Sequence, residues 1–248
     1  MQSRHKRRHF SQNEDEIIMT DRSDQTDNNS NTMQHRAAIL PLDRFNAFSD
    51  GVFAIAITIL VLEIAAPSLS VPLPEALREL WPDFLGYFIS FFYIGGIWIS
   101  HASLTHLMKK GDSVAYGLNL LMLLFVALLP FMTRLMVTRI PTPDFSLATF
   151  IYGFNVLIAS FMLSLLMFYI ARQPQLMVDQ LADDSLKRLY RQRWIAIGLG
   201  ALAVILALVA PFIALALYLV VAVIFLVLPL LGMYRARRNA VRYVEPGK

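Results

Sequence analysis

Between Trp194 and Tyr234 the chain runs for 41 residues without an Asp, Glu, Lys, Arg or His. An α-helix rises 1.5 Å per residue, so a single helix of that length would span about 60 Å, roughly twice the hydrocarbon thickness of a bilayer. The stretch is too apolar for the surface of a water-soluble domain and too long for one membrane crossing. It must turn back on itself. Pro211 lies near its middle, where a missing N–H and a ring clash favour a break. The expectation is a helical hairpin of two spans, approximately 194–210 and 212–234, joined by a tight turn.

Four further windows are long and apolar enough to cross once. Phe45 to Ile64 carries only Asp50 and Glu63 as charges, and Phe84 to Met108, Ser113 to Thr133 and Phe145 to Ala171 carry none apart from His101 and His106. They predict spans at approximately 45–65, 84–108, 113–135 and 145–171. With 56% hydrophobic and 16% charged residues, the composition departs from that of a soluble domain in the same direction. The fold class expected is an all-α integral membrane protein with six transmembrane helices, occupying residues 41–236.

Charge placement orients those helices. Of the 22 Lys and Arg residues, 19 lie in the two terminal segments, in the second-to-third connection and in the fourth-to-fifth connection. Only Arg78, Arg134 and Arg139 fall on the other side. That asymmetry puts both termini in the cytoplasm, and an odd helix count would spoil it. The net charge of +4 is thus explained by topology, and no nucleic-acid partner is expected. Residues 1–40 are predicted to be a disordered polar tail, since a run such as DRSDQTDNNSNT cannot bury enough surface to fold. Its basic block RHKRR reads as a solvated, topology-setting segment. Residues 237–248 form a basic cytoplasmic tail. Asp183 and Asp184, followed at i+4 by Lys187 and Arg188, support a short surface helix.

Little in the chain points to an enzyme. There is no cysteine, so thiolate metal sites and cysteine nucleophiles are excluded, and no P-loop, nucleophile elbow or H-E-x-x-H occurs. His101 and His106 are five apart, on different faces of a helix. Neither cofactor nor fixed metal is expected. Ion conduction asks less of a sequence, because a pore can be lined by a ring of identical residues from several subunits. The TVGYG filter is absent, and Gly95–Gly96 reads as a close-packing or kink position rather than a substitute for it. Pro130 could break the third span in the manner of a secondary transporter, and a non-conducting scaffold is a further alternative.

The first span is the unusual one. Asp43 after Pro41 is the expected N-cap, which leaves Asp50 about two turns into an apolar helix. An ionisable group there is costly and needs a partner, with Arg44 or a histidine of a neighbouring helix available. Farther along, Ile55, Thr58, Ile59 and Leu62 share one stripe at i, i+3, i+4 and i+7. Such a stripe is either packing surface or a pore lining.

At these residues the chain resembles the transmembrane protein 175 family of potassium channels. That family's Arg-x-x-x-Phe-Ser-Asp signature is matched by Arg44, Phe48, Ser49 and Asp50. The second helix is similar through Trp98 and His101 in IGGIWISHASLTH, and the third through Asn119 and Pro130. Where many prokaryotic members have a second histidine, this chain has Ala102. The resemblance implies the prokaryotic single-repeat form: a homotetramer of six-helix subunits in the cell membrane, with the first helix lining a central pore. It implies Ile55 as a hydrophobic constriction, Ile59 and Leu62 as further apolar rings, and Thr58 as a polar layer past which K+ permeates. Arg44, Phe48, Ser49 and Asp50 would join Trp98, His101 and Asn119 in a network bracing the pore helix.

Overall fold

The computed structural model describes residues 41–67, 69–178 and 183–244. The disorder expected for residues 1–40, including the RHKRR block, falls outside this range. The described residues form seven α-helices: α1 (Leu42–Leu62), α2 (Leu73–Glu79), α3 (Trp81–Thr105), α4 (Ser113–Val137), α5 (Phe145–Ala171), α6 (Asp183–Ala207) and α7 (Pro211–Val244), with a 3-10 turn at Pro174–Leu176. Four of them, α1, α3, α4 and α5, are long and apolar enough to cross a membrane. The apolar parts of α6 and α7, Arg193–Ala207 and Pro211–Val227, are shorter.

Prolines set several helix starts. Pro41 precedes α1, displacing Asp43 from the N-cap place into the first turn, where its carboxylate still complements the helix dipole. The first connection contains α2, for which the sequence carries no expectation; Pro72 precedes it, and Pro74 sits where a missing N–H costs nothing. Asp112 caps α4 by accepting the Ala115 N–H at 2.9 Å. The uncharged window is divided between α6 and α7, and Pro211 opens α7 as its first residue rather than breaking a helix midway. Asp183 to Arg188 are the first turns of α6 itself, not a separate surface helix, and α7 continues through Val244 into the expected basic tail.

α5 lies at the centre, packed on α4, α6 and α7, and α3 lies against α7. Gly96 permits the latter contact. A Cβ there would come within 2.8 Å of the Phe225 Cβ, so the backbones of α3 and α7 approach as closely as only glycine allows. α3 is continuous through Gly95–Gly96, and α4 is continuous through the buried Pro130. Polar side chains stitch the interior. Ser90 of α3 bonds Thr133 of α4 at 2.7 Å and Tyr152 of α5 at 2.9 Å, and Tyr93 of α3 donates to the Val156 carbonyl of α5 and bonds Ser160.

The two ends of the bundle are distinct. At one end the segment after α3 meets the segment after α5: Lys109 N–H donates to the Leu176 carbonyl at 2.8 Å and Val178 N–H to the Leu107 carbonyl at 3.0 Å. Beside them Tyr169 donates to Asp112 Oδ2 at 2.5 Å. At the other end lie the last residues of α1 and α4 and the first of α3, joined through Arg134.

Candidate functional site

α1 touches only α3 and α4 within the subunit, among the described residues. Its inner face is Phe45, Ser49, Phe53, Ala56 and Leu60, all buried, at the four- and three-residue spacing of one helical stripe. The opposite stripe has no neighbour among the described residues: Phe48 is 55% exposed, Ile55 60% and Leu62 79%, with Thr58 and Ile59 between them also exposed. Thr58 turns its hydroxyl hydrogen back onto the Ile55 carbonyl of its own helix at 2.9 Å. The oxygen's lone pairs are left to the open side.

Three polar residues lock the inner face. Ser49 Oγ donates to the Phe45 carbonyl at 2.9 Å, Asn119 Nδ2 of α4 donates to Ser49 Oγ at 2.9 Å, and Asn119 Oδ1 lies 2.9 Å from His101 Nε2 of α3. The direction of this chain fixes the tautomer. With its amide nitrogen committed to Ser49, Asn119 can only accept at Oδ1, so His101 carries its proton on Nε2. All three side chains are buried, and the Asn119–Ser49 and Asn119–His101 contacts each join two helices. Phe45 and Phe53 of α1 flank the His101 ring at centroid distances of 5.8 and 5.7 Å, and Tyr116 of α4 lies 5.1 Å from Phe45.

Asp50 stands apart from this chain. It is exposed on the subunit surface, not buried, and its Oδ1 accepts the Trp98 indole N–H at 2.8 Å. The partner weighed from sequence, Arg44, is exposed one turn and a half earlier and makes no ion pair with Asp50. Phe48 likewise points to the open side. The structure thus brings Ser49, His101 and Asn119 into one network and Asp50 and Trp98 into a second, and leaves Arg44 and Phe48 outside both. Sequence reasoning missed Phe45 and Phe53. Their signal was the four-residue spacing Phe45, Ser49, Phe53, which puts them on the network's own stripe.

A potassium channel of Chamaesiphon minutus is 30% identical over 186 residues, covering 73% of this chain and 92% of that protein. The chain belongs to the TMEM175 family. The family model described as endosomal/lysosomal potassium channel TMEM175 matches residues 44–130, from Arg44 at the base of α1 to Pro130 in α4. The whole of the Ser49–Asn119–His101 chain and the Asp50–Trp98 pair lie inside that stretch. The crystal structure of a lysosomal potassium-selective channel TMEM175 homologue from the same organism superposes with a TM-score of 0.66 at 29% identity, over 74% of this chain and 95% of that one. A potassium channel of Streptomyces collinus is 42% identical over 38% of this chain and 46% of its own length. Over 37% of this chain, the chicken endosomal/lysosomal proton channel TMEM175 is 40% identical, a match to 20% of that longer protein. As a TMEM175-family member the chain is a membrane channel protein built of apolar helices.

Proposed function

We propose that this chain forms a homotetrameric, potassium-permeable channel in a prokaryotic plasma membrane, with one α1 from each subunit lining a central pore. The observation that carries the reading is the division of α1. One face is fixed by a buried polar chain and the other, from Phe48 to Leu62, has nothing to cover it among the described residues of the subunit. An apolar stripe of that length on a helix braced so firmly suits a four-fold axis. Ile55 is the hydrophobic bottleneck there, Ile59 and Leu62 form further rings, and Thr58 offers oxygens to a partly hydrated K+. Asp50, held by Trp98, acts as a brace and not as an ion ligand. No resident cofactor or metal is required.

Six spans are the reading for each subunit, with α6 and α7 completing the hairpin begun by the shorter apolar segments Arg193–Ala207 and Pro211–Val227. Both termini are cytoplasmic. The pairing of the 107–110 and 176–178 connections at one end of the bundle supports this, because both connections carry Lys or Arg near that end in the sequence. The alternative of a secondary transporter loses its main support, a broken third span, since α4 is continuous at Pro130.

Reconstitution in liposomes with a potassium gradient tests the proposal. Potassium flux without an added ionophore, and resolved single-channel currents, are the expected results. Folded tetramers that pass no potassium would sink the channel reading, and a saturable flux coupled to protons would favour a transporter.

A further inference from the structure

The inner end of α1 is held by Ser49 and Asp50. The outer end has its own fastening, which involves none of the family's signature residues. The last carbonyls of any α-helix lack intrahelical partners. In α1 the carbonyl of Glu63, the residue immediately after Leu62, accepts from Arg134 Nη1 at 3.1 Å. The same nitrogen donates to Asp83 Oδ1 at 2.7 Å. Arg134 is in the last turn of α4 and Asp83 in the first turn of α3. One guanidinium therefore ties three helix ends together, and the charges suit each of them. The cation sits at two helix C-termini, where carbonyl dipoles are negative, and the carboxylate at an N-terminus, where N–H dipoles are positive. The Asp83 side chain is only 15% exposed, so the pair is partly withdrawn from water.

Between the two fastenings α1 is held by apolar packing alone. Ser49 and Glu63 are separated by about 21 Å of helix. Over that distance, from Gly51 to Leu62, no α1 side chain hydrogen-bonds another helix among the described residues; Thr58 bonds its own backbone, and the buried positions are Phe53, Ala56 and Leu60. Apolar contacts are non-directional one by one, so the rotation of these turns rests on the shape packing of three side chains, with no polar bond to sharpen it.

We propose that Arg134 is a positioning residue for the outer half of the conduction path: through the Glu63 carbonyl and Asp83 it fixes the rotation of α1, and so decides that Thr58, Ile59 and Leu62 rather than Leu60 face the open side. This rests on the reading of α1 as the pore helix. Without the clamp, the outer turns of α1 roll while the inner turns stay held by Ser49 and Asn119.

The chain contains no cysteine, so a single introduced thiol is a unique target. Leu62→Cys, Leu60→Cys and Phe48→Cys are compared in reconstituted channels for their rate of reaction with a charged methanethiosulfonate. With Arg134 in place, Leu62→Cys is expected to react at least about tenfold faster than Leu60→Cys. In Arg134→Gln, and in Asp83→Asn, that ratio should fall below about threefold, as loss of one charge-assisted hydrogen bond allows, while Phe48→Cys is unaffected. Arg134→Lys, which keeps a charged donor, should restore part of the ratio. An unchanged ratio in both variants overturns the role of Arg134, as does loss of tetramer in both, which would make the clamp purely structural. Failure of the pore reading looks different: with Arg134 intact, Leu62→Cys and Leu60→Cys would react alike, and modification would leave potassium flux untouched.

Discussion

Asn119 on α4 donates its amide N–H to Ser49 Oγ on α1 at 2.9 Å while its carbonyl oxygen takes the proton of His101 Nε2 on α3, so one side chain on one helix holds two others. Ser49 in turn passes its hydrogen to the Phe45 carbonyl. Every atom in the chain from His101 to Phe45 has a defined donor or acceptor role, and none of the three side chains can be replaced without orphaning its neighbour.

That sets the first expectation. Asn119→Leu keeps the volume and removes both bonds, leaving the Ser49 oxygen short of a donor and His101 with a buried, unpaired N–H. Each such group costs about 1–3 kcal/mol. The variant should melt measurably below the parent in detergent. Because Ser49→Ala breaks the same link, the double variant should lose less than the sum of the two singles, a coupling of about 0.5–3 kcal/mol. Strict additivity would mean that the chain does not act as a unit.

Asp50 and Trp98 form a pair of a different kind, exposed on the subunit and joined by one bond of 2.8 Å. Asp50→Asn can retain an acceptor oxygen for the indole, whereas Asp50→Leu cannot. If the pair matters through its hydrogen bond, Asp50→Asn should assemble close to normally, and Asp50→Leu and Trp98→Phe should both lower the tetramer fraction in size-exclusion chromatography. Equal damage from Asn and Leu would point to the charge instead.

The helices were readable in the sequence because membrane spans depend on one coarse variable. The 41-residue window from Trp194 to Tyr234 divided as its length required, and the window from Phe145 to Ala171 is α5 to the residue. What depends on a turn or on the third dimension was not readable. α2 is seven residues between prolines, too short to give a periodic signal. Asp50 sits in an apolar run, and linear context made it look buried; the rotation of α1 puts it on the surface beside Trp98, 48 residues away. In the linear sequence Arg134 and Arg193 are simply charges on one side of the membrane or the other. No spacing rule brings Arg134 to the Glu63 carbonyl, and none lays Arg193 between α5 and α7.

Arg193 lies 9% exposed on α6, with its Nε 3.1 Å from Ser164 Oγ, its Nη2 3.4 Å from the Ser160 carbonyl, and its guanidinium 5.5 Å from the Phe225 ring centroid. A buried charge recovers its desolvation cost only in good geometry, so an apolar residue of like length often serves as well. Arg193→Met should therefore hold thermal stability to within about 1 kcal/mol, helped by a favourable sulfur contact with Phe225. Ser164 tolerates the change because its hydroxyl already donates to the Ser160 carbonyl at 2.8 Å. Arg193→Ala leaves a void as well and should cost about 2–5 kcal/mol. A Met variant as unstable as the Ala variant would show that the charge itself is needed.

Ile55 and Thr58 carry the functional expectations. Ile55 is 60% exposed and lies off the buried stripe of α1, so Ile55→Asn should leave folding intact. In the proposed ring of four it would replace a dewetting surface with amides that hold water, and single-channel conductance should rise. Thr58→Val is nearly the same shape but has no oxygen to offer a cation, and the bond it forfeits is an exposed one within α1. Stability should be little altered, while the reversal potential with potassium and sodium on opposite sides shifts toward zero. The two variants separate the roles, since conductance reads the bottleneck and reversal potential reads the oxygen ring. A shift in reversal potential from Ile55→Asn alone, with none from Thr58→Val, would move discrimination between the ions to the apolar constriction.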